Sequence, residues 1–424
     1  MLTEKVIEKP SEKLIEKPQV QAVYCHNQAS DEEVYEALKR TTLPLARSWE
    51  KLKKARRIGI KFNQAFAPAE IVYHKGQFQE LVSEKVARAT LRLLREETTA
   101  DLFCIEISVF KQDRDPEPGP TFPFLALLRE FDVPFIDGNN PPQTVVQTPG
   151  GGQMFRQYTI PKDLAECDAF ISVQKMKNHA FMGVTLCLKN LFGLLPQEPL
   201  GRSRAYFHHL VRMPYMLADL GRIFDPALNI IDGMVGQAGR EWGGVPRVPN
   251  ALLAGDQVIA TDACATYLMG HDPQSDWLTP PFHRDRNALL VAAEGGYGTV
   301  DLNEIDFQSE VQAPLDEFHA EQSDPEATVI NWRRTTAEQA LYYRENIRKY
   351  VRRYAGEYIL LQKGRVRWHS KTSDFYGSRR KLAGSDPDEA MWFKYVDPEE
   401  AEGEKFEVYE QALADLKARG LHKG

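Results

Sequence analysis

The sequence lacks paired cysteines, long apolar runs and an excess of positive charge. Its five cysteines are scattered without a Cys-x-x-Cys pair, which argues against an iron–sulfur cluster or a structural zinc site. No run approaches the roughly 20 apolar residues that cross a bilayer, and the charged N-terminus lacks the apolar core of a signal peptide. The net charge of −7 gives no electrostatic reason for nucleic-acid binding. We therefore expect a cytoplasmic protein with reduced thiols and with neither a membrane nor a nucleic acid as partner.

The length of 424 residues and the apolar content of 42% allow a large core divided among two or three domains. The repeats VIEKP and LIEKP near the start are charged and punctuated by proline, so they predict a disordered tail over residues 1–30. We expect the main domain at 31–310 and a linker at 311–334. The charged helix, hairpin and final helix that follow predict a small C-terminal α/β domain at 335–424.

Alternating strand and helix patterns predict the fold class of the main domain. The predicted strands lie at 57–62, 102–110 and 133–136, and the predicted helices at 31–55, 77–97 and 122–131. This order is typical of an α/β protein with mostly parallel sheets flanked by helices. Two lobes around a cleft are one arrangement that fits it. The glycine-rich stretch 137–160 fits either a flexible flap or a phosphate-holding turn.

The stretch 170–196 combines a predicted strand with a row of basic side chains. In an extended chain, Lys175, Lys177 and His179 share one face, because side chains alternate with a period of two. The apolar spacing that follows predicts an amphipathic helix carrying Thr185, Lys189 and Asn190. We expect these donors to line one wall of a site.

Polar residues at other predicted strand ends complete this site. They are Lys61 and Asn63, then Asp232, then Glu241 in a glycine-rich loop. Ligands of open α/β sheets bind beyond the carboxyl ends of strands, where these residues fall. Two adjacent histidines, His208 and His209, point in different directions on a helix. One of them reaches the site, or both serve as surface or capping residues.

These residue types indicate binding of an anion and acid–base chemistry. Lysines attract carboxylate or phosphate, and His179 can exchange a proton near neutral pH with Asp232 or Glu241 to orient it. A buried lysine acting as base or Schiff-base former is an alternative. Because no dense ligand spacing is present, we assign no metal, and the sequence identifies no cofactor.

Five segments together resemble the domain of unknown function family 362 over residues about 55–310. They are Lys61-Phe-Asn63, Lys175-x-Lys177-x-His179, Thr185-x-x-x-Lys189-Asn190-Leu-Phe-Gly193, Ile231-Asp232-Gly233, and Gly255-Asp256 with Asp262-Ala263. Many members carry a ferredoxin-type cysteine cluster that this sequence lacks. The resemblance implies the fold and the site rather than an activity. A more distant similarity connects the sequence to the lactate racemase family, whose two α/β domains enclose a nickel-pincer cofactor by histidine and lysine.

Two hypotheses follow. In the first, the protein is an enzyme in which lysines hold an anionic small molecule or cofactor while His179 transfers a proton. In the second, it is a non-catalytic binding or scaffold protein that uses its C-terminal region for protein partners.

Overall fold

The computed structural model of the chain describes residues 16–64, 71–107, 122–373 and 390–421. The strands of these residues are β1 (Gln19–Tyr24), β2 (Arg57–Phe62), β3 (Tyr73–His74), β4 (Gln77–Phe78), β5 (Asp101–Glu106), β6 (Phe135–Asp137), β7 (Gln143–Gln147), β8 (Gln157–Pro161), β9 (Ala169–His179), β10 (Gly183–Thr185), β11 (Leu228–Ala238), β12 (Val245–Arg247), β13 (Ala251–Gly255), β14 (Asp306–Ser309), β15 (Tyr358–Gln362), β16 (Arg365–Ser370) and β17 (Trp392–Tyr395).

The helices are α1 (Asp31–Thr42), α2 (Ala46–Lys54), α3 (Glu84–Glu97), α4 (Leu125–Glu130), α5 (Lys162–Ala165), α6 (Cys187–Asn190), α7 (Arg204–Phe207), α8 (Arg212–Phe224), α9 (Val258–Leu268), α10 (Ala288–Glu294), α11 (Glu326–Glu345), α12 (Ile347–Tyr354) and α13 (Glu407–Ala418). Short 3₁₀ turns lie at Pro149–Gly151, Leu191–Leu194 and Leu302–Glu304.

One mixed sheet organises the main part of the chain. Its strand order is β14-β1-β13-β11-β9-β2-β5-β6, with β10 paired to β9 and β12 paired to β11. The run β11-β9-β2-β5-β6 is parallel throughout, and its members are joined through helices. The α/β class with mostly parallel strands and flanking helices is therefore confirmed.

Helices cover both faces of this sheet because its central strands are apolar on both sides. Ile230 of β11 packs in a buried cluster with residues of α1 to α4, whereas the adjacent Ile231 packs in a second cluster with residues of α8 to α10. Side chains of successive strand residues point to opposite faces, which explains the division. The strand ends between these helix layers remain available for polar residues.

The C-terminal region forms a three-stranded antiparallel sheet in the order β16-β15-β17. Its apolar residues belong to the same buried cluster as those of the main sheet. Tyr206 and Phe393 bring their rings to 5.8 Å, and the buried Arg212 lies 2.8 Å from the Glu404 carboxylate. These contacts pack the C-terminal region on α7 and α8.

Two boundary predictions are wrong. Residues 19–24 of the predicted tail form β1, which pairs with β13 and β14 and buries Val20 and Ala22. The alternation of apolar residues in this strand is short and directly follows the charged repeats, so it gives a weak signal in the sequence. Residues 1–15 lie outside the described residues. Part of the predicted linker is the first half of α11, where Arg333 is buried and bonded to Asp285 at 2.8 Å. A buried ion pair of this kind leaves no apolar pattern in the sequence.

Several predicted elements are shorter than expected. The helix expected at 31–55 is divided at Pro44, and the helix expected at 77–97 begins at residue 84. The strand expected at 102–110 ends at residue 106, with residues 108–110 outside the described part. The amphipathic helix expected to carry Thr185 starts only after it, since Thr185 lies on β10.

The stretch 137–160 is a hairpin of β7 and β8 with a tightly bound turn. The Asp219 carboxylate accepts the backbone amides of Gln153, Met154 and Phe155 at 2.5 to 2.9 Å and the Tyr158 hydroxyl at 2.8 Å. These amides are already bonded, so they cannot hold a phosphate. The described contacts therefore favour neither the flexible flap nor the phosphate-holding turn.

Candidate functional site

The centre of the candidate site is the end of β9, where Lys175, Lys177 and His179 are all buried. β9 runs parallel to β2 and β11, and β10 folds back along it, with Thr185 opposite Lys177. The predicted extended stretch is therefore present. Its basic side chains, however, have different partners.

Lys175 and Asp232 form a closed ion pair inside the protein. Their charged atoms are 2.8 Å apart, and neither side chain is accessible to solvent. The Asp232 carboxylate also accepts the backbone amides of Ser83 at 2.7 Å and Met234 at 3.1 Å. Since Ser83 caps α3, Asp232 connects β9, β11 and the start of α3. Because its carboxylate oxygens already accept these hydrogen bonds, Asp232 has a structural role and not a catalytic one in our interpretation.

A second closed pair joins Lys61 of β2 to Glu106 of β5, at 2.5 Å and with both side chains buried. Burial lowers the pKa of Lys61 and raises that of Glu106, although their mutual attraction opposes both changes. Gly193 lies directly against the pair, and a Cβ there would be 2.8 Å from Lys61 Cε. Glu106 is a site neighbour that the sequence analysis missed, because its partner is remote in sequence.

Asn190 braces the strands beneath the site. Its amide nitrogen donates to the Ser172 hydroxyl at 3.0 Å and to the backbone carbonyls of Val173 and Lys61 at 3.2 and 3.4 Å. The Asn63 backbone amide donates to the Val173 carbonyl at 3.0 Å. Asn190 thus holds β2 against β9. Within the described ranges, the buried side-chain oxygens of Asn63 and Asn190 have no hydrogen-bond partner.

His179 has a fixed orientation at the end of β9. Its Nδ1 accepts the backbone amides of Phe181 at 3.0 Å and Met182 at 3.3 Å, so the contacts assign the proton of the neutral ring to Nε2. Glu241 Oε2 lies 3.3 Å from the same Nδ1 and has no hydrogen-bond partner among the described residues. Two acceptors face each other here, and a hydrogen bond between them requires one added proton.

The loop that carries Glu241 is held by the segment before α3. The Glu80 carboxylate accepts the Gly243 amide at 2.5 Å, and the Gln79 side chain donates to the Gly244 carbonyl at 3.0 Å. Lys177 Nζ bridges the two segments by donating to the Glu80 carbonyl at 2.8 Å and the Glu241 carbonyl at 3.4 Å. The glycine-rich loop is therefore held in place by hydrogen bonds and forms one side of the site.

Two further cations, Lys189 and Arg204, have no acceptor among the residues that the structure describes. Lys189 Nζ and the Arg204 guanidinium lie 4.3 and 4.5 Å from the centroid of the same Phe192 ring. Both side chains are half-buried, and neither makes a hydrogen bond or an ion pair with any residue in the described ranges. The ring of the half-buried His208 is 5.8 Å from the His179 ring and 5.9 Å from the Phe192 ring.

The pKa values follow from burial and from like charge. Burial and then Arg204 lower the pKa of Lys189 well below its usual range, and burial lowers that of Arg204. Burial lowers the pKa of Lys177 to about 8 despite the attraction of Glu80 and Glu241. The pKa values of His179 and His208 are well below normal because burial and Lys189 disfavour the imidazolium form. The site is a cationic environment with neutral imidazoles.

The structure brings together only part of the predicted set. His179 lies 3.3 Å from Glu241, Lys177 donates to the Glu241 carbonyl, and Lys189 is close enough to lower the pKa of His179. The buried Thr185 hydroxyl on β10 has no hydrogen-bond partner among the described residues. Lys61, Lys175 and Asp232 are bound in closed pairs. Arg204 was not among the site residues predicted from the sequence. The position of His208 agrees with the alternative in which one of the two adjacent histidines reaches the site. The cluster of basic residues at 202–212 is the sequence feature that could have indicated Arg204.

No group of three or more histidine, cysteine, aspartate or glutamate side chains that could hold a metal ion occurs in the described residues. Within the same residues, no helix is long and apolar enough to cross a bilayer.

Comparison with known proteins gives the family. Residues 59–267 match the sequence model of a family described as "Domain of unknown function (DUF362)". This stretch, just under half of the chain, is a DUF362 domain. The resemblance inferred from the five segments is therefore confirmed, and those segments all fall within the matched range. The family's description names no activity.

Two further similarities are more limited. A thylakoid-associated protein of Synechocystis sp. is 29% identical over 161 residues, which are 35% of this chain and 46% of that protein. The match thus spans less than half of that relative. Among solved structures, the lactate racemase apoprotein from Thermoanaerobacterium thermosaccharolyticum covers 62% of this chain and 59% of its own, with 13% identity and a TM-score of 0.33. A likeness this low supports no conclusion about activity.

Proposed function

We propose that this DUF362 protein is an enzyme that binds an anionic small molecule or cofactor and exchanges a proton with it through His179. The observation that carries the proposal is a pair of cations at one aromatic ring, Lys189 and Arg204, that have no acceptor within the described part of the chain. A charge withdrawn from water without a partner costs free energy. An anion placed between these side chains and Lys177 would offset that cost, which a purely structural role would not require.

His179 would take part through both ring nitrogens. Nε2–H can donate to the bound ligand, while Nδ1 lies beside the unpaired Glu241 oxygen at 3.3 Å. A proton that arrives at this contact is stabilised by two acceptors, so Glu241 can store it and return it. The neutral state of His179 suits such an exchange at neutral pH.

The remaining residues of the predicted set have supporting roles in this proposal. Thr185 and Asn63 offer side-chain oxygens without partners, and we include both in ligand binding. Lys61 and Lys175 fix the strand ends through their carboxylate partners, and Asn190 holds the two strands together. A rigid frame of this kind lowers the entropic cost of placing a ligand.

The test is ligand-dependent thermal stability with inorganic phosphate and a series of mono- and dicarboxylates as probes. We expect a saturable rise in Tm for the wild type that is lost in Lys189→Ala and in Arg204→Ala. Lys54→Ala, which removes an exposed lysine paired with Glu50, is the matched control and should respond like the wild type. Equal shifts in all four proteins would contradict anion binding at this site.

A second measurement separates binding from proton exchange. Calorimetry in buffers of different ionisation enthalpy reports the protons taken up with the probe anion. We expect His179→Ala to retain binding and to take up fewer protons than the wild type. Native mass spectrometry of protein from its own cells, with elemental analysis, would identify a copurifying ligand. Unchanged proton uptake in His179→Ala would contradict the role assigned to this residue.

The scaffold alternative requires a different test from deletion. Removing residues 311–424 would expose the core shared with α7 and α8 and leave Arg212 without Glu404. Loss of partners after such a deletion could therefore reflect unfolding. Substitutions at the exposed surface of the C-terminal region examine the same question in a folded protein.

A further inference from the structure

The C-terminal region carries a concentration of positive charge that contrasts with the rest of the chain. Between residues 347 and 373 the sequence has eight lysines or arginines and one acidic residue, Glu357, although the whole chain has a net charge of −7. Glu357 is already bonded to His369 Nδ1 at 2.6 Å. This segment lies beyond the matched DUF362 region, so the family does not account for its charge.

Six of these cations are exposed and make no ion pair with any residue in the described part of the chain. They are Arg348, Lys349, Arg352, Arg353, Arg365 and Lys371. Elsewhere on the surface, cations of helices have acidic partners, as Arg88 and Arg92 of α3 do. Uncompensated surface charge at this density indicates selection for an anionic partner rather than for stability.

The cations belong to one surface because α12 packs beside β16. The Tyr350 hydroxyl donates to the Gly364 carbonyl at 3.3 Å, and the Tyr354 and His369 rings are 5.0 Å apart. These tyrosines form the buried side of α12, which turns its four basic residues outward. We call α12, β16 and Lys371 the basic face.

We infer that the basic face docks the protein on an anionic lipid surface. Clusters of four to eight lysines and arginines on an amphipathic helix are typical of such binding, which needs only diffuse charge. The 36% exposed ring of Tyr342 lies against Gly364 at the border of the face. An amphipathic ring in this position suits the boundary between headgroups and water.

A nucleic acid is the less favoured partner. Single strands are held by exposed aromatic rings between the cations, whereas Tyr350 and Tyr354 are buried, Trp368 is half-buried and Tyr342 lies at the border of the face. The basic helix has eight residues and ends in the turn to β15, which gives it little length for reading a groove. The inference also differs from the sequence-based expectation of no membrane partner, which considered only segments that span a bilayer.

The experiment is co-sedimentation of the full chain with vesicles of phosphatidylcholine alone and of equimolar phosphatidylcholine and phosphatidylglycerol. One variant replaces the four basic residues of α12 by glutamine, R348Q/K349Q/R352Q/R353Q. The matched control, K51Q/K53Q/K54Q/R56Q, makes the same change of charge at exposed positions in and after α2. Exposed substitutions of this kind leave folding largely unchanged, which circular dichroism and Tm verify.

We expect the wild type and the α2 control to sediment with the anionic vesicles and not with the neutral ones, less so at high salt. The α12 variant should bind roughly 1,000-fold more weakly, given the usual contribution of each of the four cations near an anionic surface. No binding of the wild type to anionic vesicles, or equal binding of the α12 variant, would overturn the inference. Tighter binding of the wild type to a single-stranded or duplex oligonucleotide, abolished in the α12 variant, would also overturn it.

Discussion

Replacing two lysines of the stretch 170–196 by methionine should have very different effects on stability. Lys175 is enclosed and lies 2.8 Å from the equally enclosed Asp232. Lys175→Met leaves that carboxylate buried without its cation, a change that costs about 3–5 kcal/mol in other proteins. The amides of Ser83 and Met234 still donate to Asp232, so we expect the lower end of this range.

Lys189→Met removes a half-buried cation that has no acceptor among the described residues. Methionine preserves the length of the side chain and its contact with Phe192, while it ends the repulsion from Arg204. We expect the free energy of unfolding of the unliganded protein to stay within about 0.5 kcal/mol of the wild-type value or to rise. Binding of the probe anions should be lost.

The measurement is urea unfolding followed by the fluorescence of the six tryptophans, with the Tm as a second readout. Because a chain of this size can unfold in several steps, the comparison uses the midpoint and shape of each transition. A loss of stability in Lys189→Met equal to that in Lys175→Met would show that Lys189 has a structural partner. A loss below about 1 kcal/mol in Lys175→Met would contradict the closed-pair description.

Two further predictions concern the same region. Affinity for a probe anion should fall by up to about tenfold per pH unit as the pH rises through about 8. The reason is that the pKa of Lys177 is lowered to about 8, so the free protein loses a proton from this lysine that the anion-bound protein keeps. Constant affinity from about pH 7 to about pH 10 in calorimetric titrations would contradict this prediction. Gly193→Ala should cost about 1–3 kcal/mol in urea unfolding, because its Cβ would approach Lys61 Cε to 2.8 Å and Glu106 Oε1 to 2.9 Å. Wild-type stability in that variant would mean that the pair moves freely.

The local features of the site could be predicted from the sequence, but its pairings could not. Period-two alternation correctly indicated that Lys175, Lys177 and His179 lie on a strand. Nothing in the alternation distinguishes a lysine with a carboxylate partner from one without, since Asp232 is 57 residues from Lys175. The distinction depends on the pairing of β9 with β11.

The contribution of Arg204 and His208 to the site could not be predicted from the sequence either. Arg204 begins the four-residue helix α7 and His208 follows its end, and the basic pattern of this segment resembles a solvated surface. They reach the site because Phe192 and Phe181 pack against them, with the Phe181 and His208 rings 4.6 Å apart. Likewise, β1 is short and follows charged repeats, so only its pairing with β13 reveals it.

Some cations of the site are paired with buried carboxylates and others are not, and this difference indicates the charge of the ligand. The Lys61–Glu106 and Lys175–Asp232 pairs are internally neutral, so they hold the strand ends without attracting further charge. When Lys189 and Arg204 are both protonated, they present an excess of two positive charges that have no ion-pair partner among the described residues, and the neutral histidines add none. A dianion would neutralise this excess, and its binding would raise the depressed pKa of Lys189. We therefore expect dicarboxylates and phosphate to bind more tightly than monocarboxylates of similar size, and to bind with uptake of protons.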